Sequence, residues 1–390
     1  MILLPHLKVY LKVTHATMSA MSELKKLSSR IIALDLLRGY FLVAILFDHL
    51  QYFPNGLDWV SGRGSLYVSA AEGFFFISGI VLGIVRGRKL IEKPFSVAAK
   101  LLLKRGVQLY ITAVVLFFIF TFIGWLFINN PGIKPGLRPM SENFWTIIIN
   151  ALDFNYIYGW ADYLRLYAVY LFVSPLAMWL LRKGKWYILL LASLVTWYFY
   201  NFSPLDTAEL SQVFSWQLLF FGGMTVGFYL DPIRHWWAKR PAVLKRSVII
   251  ATVSIAAVTM LVNFIFIIWG DNLLGRQTVL DIDNSLQPFF NKERLPLYRV
   301  GLFLIWFGAS FWFVSLIERF VLRRLGWLLI PFGTNSLYVY TIEAFVIYFI
   351  HLLVPNASSN LLINLALCLI CLGITWAAVR KKFLMGIIPR

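Results

Sequence analysis

Residues 33–50 read ALDLLRGYFLVAILFDHL. The stretch is apolar and near the ~20 residues that a helix needs to cross the hydrocarbon of a bilayer. It is broken only by Asp35, Arg38, Asp48 and His49. Charged groups inside a membrane are costly, so a spanning helix that carries four such side chains marks both a fold and a place to look for chemistry.

Working outward, similar apolar segments recur along the whole chain. With the first at 32–53, they fall at 66–86, 104–128, 162–181, 185–201, 212–230, 247–269, 298–317, 326–351 and 360–379. The pattern predicts an all-α, polytopic membrane protein of about ten spans. Composition agrees: 60% of the 390 residues are hydrophobic and 14% charged, and mean hydropathy is +0.74. A soluble domain is nearer a quarter charged and could not cover so apolar a core.

The net charge of +18 would suggest nucleic acid on a soluble protein. Here the basic residues sit in short connections, so topology accounts for them and no nucleic-acid partner is expected. Of 36 Lys and Arg, 27 fall on the side of the two termini and six on the other: Arg63, Lys134, Arg138, Arg276, Lys292 and Arg294. The positive-inside rule then places both termini in the cytoplasm and requires an even number of spans. Residues 1–30 read as a cytoplasmic extension without a leader's cleavage site, 31–382 as one integral-membrane domain, and 383–390 as a cytoplasmic tail. Two outer connections, 129–161 and 270–297, are long enough for an interfacial helix, a lid or a solvated connector.

The first segment places its polar groups at two depths. Arg38 and His49 are eleven residues apart, roughly 16 Å along a helix axis. Asp35 can pair with Arg38 from one turn away. His49, near the outer end, suits a general base because imidazole titrates near neutrality, although Asp48 and His49 could simply end the helix at the interface. The second segment, begun at 66, sets Glu72 about two turns in, at the depth of His49; it could orient the imidazole or act as a hydrogen-bond hub.

Asp162, Arg165, Gln217 and Glu343 share the outer half and could line a polar cavity rimmed by Trp160 and Trp216, as a sugar site would be; an aromatic belt at the interface is the commoner reason for such rings. On the inner side Arg38, Lys104 and Arg105 could bind a nucleotide phosphate, or the last two could be topology anchors. Gly79, Gly83 and Gly87, four apart, suit close helix packing. Cys368 and Cys371 lie inside the last apolar run and read as packing residues. No cluster suggests a metal.

Arg38, ten residues and His49 match the R-x10-H motif of the acyltransferase-three superfamily. ALDLLRGYFLVAILFDHL (33–50), AAEGFFFISGIVLGIVRGR (70–88), KRGVQLY (104–110), YLRLYAVYLFVSPLAMWLL (163–181), WQLLFFGG (216–223) and GTNSLYVY (333–340) together resemble the OpgC family. The resemblance implies a ten-helix acyltransferase of the cell membrane. Its donor would be a cytoplasmic acyl-CoA, such as succinyl-CoA, with no tightly bound cofactor; its acceptor would be a hydroxyl of a cell-envelope glycan. It implies that His49 is the base, that Arg38 serves the donor and that Glu72 is in the site. The chain departs from the family pattern at Glu343, where a His often follows SLYVY, and it has no clear R-x-x-R before the third segment. The other readings are a transporter or flippase for a glycan or lipid-linked substrate, and an inactive relative that binds glycan.

Overall fold

The computed structural model describes residues 31–160, 163–201 and 208–388. The N-terminal extension and Asp162 therefore lie outside the described residues. All described regular structure is helical. We number the longer helices α1 (Ile32–Leu50), α2 (Ala70–Leu82), α3 (Phe95–Leu126), α4 (Phe144–Leu152), α5 (Tyr163–Arg182), α6 (Trp186–Asn201), α7 (Ala208–Phe228), α8 (Leu230–Ala238), α9 (Ala242–Leu274), α10 (Arg276–Phe290), α11 (Leu297–Leu316), α12 (Glu318–Thr334), α13 (Ser336–Leu353) and α14 (Leu361–Arg380).

Seven helical stretches are long and apolar enough to cross a membrane: α2 with its extension to Leu90, α3, α5, α9, α11, α13 and α14. The bent pair α7–α8, turned by 68°, is an eighth if it counts as one span. Each segment expected from the sequence coincides with helix, with one correction. The expected ninth span, 326–351, is two helices that meet at Asn335. Pro331 lacks a backbone donor and sits inside the last turn of α12, which weakens the helix just before that break. Both long connections carry helices, α4 and α10. The side chain of Asn143 caps α4 by accepting from the backbone of Trp145 and Thr146, satisfying donors that a helix start leaves open.

Small residues set the closest helix pairs. Gly79, Gly83 and Gly87 face α7, against the Phe220 carbonyl, the Met224 carbonyl and the Phe228 ring. Gly223 and Gly227 of α7 answer them, against the Phe76 and Ile80 carbonyls. No Cβ fits at these contacts, so the two backbones touch, as the glycine spacing predicts. The same device joins α1 to α12: Gly39 meets the Leu329 carbonyl and Gly333 meets the Asp35 carbonyl. With α2, α12 and α13 packed around it, α1 is the buried centre of the bundle, and its Leu36, Leu42, Leu46 and Leu50 are almost wholly covered. That placement carries the first segment's polar groups into the interior.

Candidate functional site

Two polar clusters lie at opposite ends of α1. At one end Arg38 donates from Nη2 to Ser78 Oγ (3.3 Å) and sits over the Phe74 ring, 5.4 Å from its centroid. It interacts electrostatically with Tyr167 and, next, with Asp35. Arg105 interacts with the same Tyr167 and with Arg38 and Arg86. Arg38 and Arg105 thus share one tyrosine, and Arg86, after α2, lies near Arg105. Arg86 lies in a π turn, Gly83–Gly87, that follows α2; such turns are frequent at functional sites. Of the expected trio, Arg38 and Arg105 interact and Lys104 is exposed; Arg86 is a further arginine near Arg105.

At the other end His49 lies in the last turn of α1. Its ring is 5.0 Å from that of Trp160. A second histidine, His351 of α13, also packs against Trp160, at 5.7 Å. The Lys134 ammonium covers the indole at 4.2 Å and also donates to the Gly159 carbonyl. His351 Nε2 is 3.0 Å from the Leu50 carbonyl. A carbonyl only accepts, so Nε2 carries the proton and His351 ties down the end of the helix that presents His49.

Glu72 requires a correction. It is not two turns into the membrane but in the first turn of α2, because Ser69 caps that helix. Ser69 and Glu72 form a reciprocal capping box, whose S-x-x-E signature stands in the sequence. The Ser69 backbone donates to Glu72 Oε2 at 3.1 Å, and its hydroxyl donates to the same oxygen. Oε1 is taken by Arg299 of α11, from Nε at 2.6 Å, with Nη2 at 2.5 Å. Arg299 Nη1 donates to the Phe290 carbonyl at 2.6 Å. Glu72 and Arg299 are fully buried. The expected pairing of Glu72 with His49 is therefore replaced by an ion pair with Arg299. Beside it lies Lys292, in the connection from α10 to α11. Tyr163, ahead of Glu72 and Asp48, holds its ammonium above the ordinary lysine range, against burial and Arg299.

The remaining expected residues separate. Gln217 is spent on structure: its Nε2 donates to the Ser193 carbonyl (2.7 Å) and its Oε1 accepts from Ser193 Oγ (2.5 Å), so it ties α7 to α6. Trp216 is not a rim residue but fully buried, with its indole N–H on the Lys292 carbonyl (3.0 Å). Arg165, also buried, donates to the Phe154 carbonyl (2.9 Å) and so fastens the connection that ends in Trp160. Glu343 is 1% exposed, and neither carboxylate oxygen has a hydrogen-bond partner among the described residues. Cys368 and Cys371 are buried and unlinked; Cys368 Sγ accepts from Asn55 Nδ2 (3.3 Å). No group of metal-ligating side chains is present among the described residues.

The sequence reading missed Arg299, Lys292, His351 and Arg86. Arg299 and His351 each stand inside an apolar run, which was a usable signal; Lys292 lay in a connection and offered none.

The fold and its interior charges define a multi-pass helical membrane protein with a polar site at each end of one buried helix. Residues 30–385 match the OpgC protein family, and the chain belongs to it. No curated protein and no solved structure matches it.

Proposed function

We propose that this protein is an integral-membrane O-acyltransferase of the inner or plasma membrane, with about ten spans and both termini cytoplasmic. It moves an acyl group, succinyl being the leading choice, from cytoplasmic acyl-CoA to a hydroxyl of a cell-envelope glycan. One observation carries the reading: a cluster of arginines and an aromatic-flanked histidine stand at opposite ends of the same buried helix. The separation, roughly 16 Å along the axis, is one that the donor's extended pantetheine arm covers in large part.

Arg38, Arg86 and Arg105 hold the donor's phosphates; Arg38 is kept in place by Asp35 and Ser78. His49 takes the proton of the acceptor hydroxyl. The oxygen attacks the thioester carbonyl, the C–S bond breaks, an ester forms, and the proton passes to the departing thiolate. Trp160 offers the sugar an apolar face. Glu72 and Arg299 act on the wall of the site rather than on the imidazole. Because only neutral imidazole accepts a proton, the rate falls on the acid side as His49 becomes charged; a flat profile from mildly acidic to neutral pH removes His49 as the base.

A second reading is transport of a glycan or lipid-linked substrate. It draws on Glu343, a buried carboxyl without a hydrogen-bond partner among the described residues, since ionisable groups inside a membrane often mark transport pathways. Mass spectrometry of envelope glycans separates the two, using cells with wild type, His49→Ala at matched level, or no protein. Loss of an ester-linked acyl group in the last two supports the enzyme and its base. Equal acylation in all three favours transport or binding.

A further inference from the structure

Beyond α14 the chain turns back on itself. Lys382 and Leu384 take left-handed backbone angles there, with φ of 54° and 52°. Side chains other than glycine adopt that region at a cost, and such residues cluster at ligand clamps. The turn is tied down. The Lys382 backbone donates to the Val379 carbonyl (3.2 Å), and that of Phe383 to the Ala378 carbonyl (2.9 Å). The hydroxyl of buried Tyr338, in the first turn of α13, lies 2.5 Å from the Phe383 carbonyl and 3.2 Å from that of Ala378.

This turn forms one wall of a pocket of about 280 Å³ between α12 and α14. Trp327 and Asn335 line it from α12 and its end, Trp376 and Arg380 from α14, and Lys382 and Met385 from the turn. Arg380 and Lys382 are exposed, and neither forms an ion pair among the described residues. No acidic side chain lines the pocket. The Arg380 guanidinium stands over the Trp376 ring, 5.5 Å from its centroid. Trp376 and Trp327 meet edge to face at 5.5 Å. The pocket lies at the Arg38 end of the molecule. Gly333, two residues before Asn335, touches the Asp35 carbonyl. From the opposite end, where Asn364 holds the Pro54 carbonyl, α14 runs down to Arg380.

Two accessible cations facing one cavity without an acid call for an anion. Tryptophans beside Lys and Arg mark the level of lipid headgroups, and basic pockets between helices at that level take lipid phosphates. A zwitterionic head carries its own cation. The aromatic face that would receive it, that of Trp376, is already covered by Arg380.

We propose that this pocket binds the head of an anionic phospholipid of the phosphatidylglycerol kind. Its phosphate oxygens accept from Arg380 and Lys382, and the lipid bridges α12 to α14. The site shares no residue with the Arg38 cluster and stands whether or not the protein transfers acyl groups.

The test places the full chain in phosphatidylcholine nanodiscs with a small fraction of photoreactive lipid, a diazirine near the top of one acyl chain. The photoreactive lipid is phosphatidylglycerol in one set and phosphatidylcholine in the other. Mass spectrometry is expected to find residues 327–335 and 376–385 labelled about tenfold more by phosphatidylglycerol. Arg380→Gln with Lys382→Gln brings that labelling down to the phosphatidylcholine level. Arg380→Lys with Lys382→Arg keeps both charges and the preference. Lys183→Gln with Lys185→Gln removes two exposed cations from the α5–α6 connection and leaves the labelling unchanged. Equal labelling by the two lipids overturns the proposal. So does an equal fall with the Lys183 and Lys185 pair, because any interfacial cations would then serve. Displacement of the label by millimolar inorganic phosphate or coenzyme A means that the pocket takes a free phosphate ester, and the lipid assignment falls. The comparison of the two lipids on wild type decides the matter even if the Gln pair fails to fold.

Discussion

The two ends of α1 are built in opposite ways. The Arg38 end takes its charges from three helices that follow one another in the chain: Arg38 from α1, Arg86 from the end of α2 and Arg105 from α3. The His49 end draws Trp160 and Lys134 from one connection, Lys292 from another, and Arg299 and His351 from helices late in the chain. One end is local and gathers like charges. The other is non-local and holds a buried ion pair. In the proposed reaction the first would receive a phosphate and the second would hold an imidazole in one pose.

The sharpest way to break this contrast is at the two functional groups. His49→Ala is expected to lower acyl transfer by roughly 10²–10⁴-fold, the usual worth of a general base, with donor KM little changed; a fall of less than tenfold would place the base elsewhere. Next comes Arg299→Ala, which leaves Glu72 as a buried unpaired charge and is expected to cost about 3–5 kcal/mol. Thermal unfolding in detergent reads it, and Glu72→Gln combined with Arg299→Met should recover most of the loss. If the single variant unfolds like wild type, the ion pair is not what closes this end.

At the other end, Arg105→Ala should raise donor KM by roughly ten- to a hundredfold, as loss of a charge-assisted hydrogen bond of about 1.5–3 kcal/mol would. Lys104→Ala, one residue away and exposed, should leave donor KM within about twofold. Equal effects would mean that the two act as topology anchors. The smallest expected effect is that of His351→Phe. It keeps a ring against Trp160 and removes one hydrogen bond to Leu50, worth about 1 kcal/mol. The rate should fall about fivefold with an unchanged acid limb in the pH profile; a shifted limb would mean that His351 itself titrates with the reaction.

Much of the frame was legible in the residues. Long apolar runs announce helices because a bilayer leaves backbone groups no other partner. Glycines at four-residue spacing announce a close helix pair because only they let backbones touch. Arg38 and His49 could be placed at two depths because a helix rises by a constant step per residue.

What only the tertiary structure decided is which polar groups meet. Glu72 finds Arg299 across 227 positions, and His351 finds the end of α1 across 301. Gln217, read as a site residue, turns to Ser193 because α6 is its neighbour. In a medium without water a buried charge takes the nearest good partner. Helix periodicity determines which side of a helix a residue occupies, but the neighbour on that side depends on how the helices are arranged around α1. That arrangement is set by packing summed over the whole bundle, which no local stretch of sequence encodes.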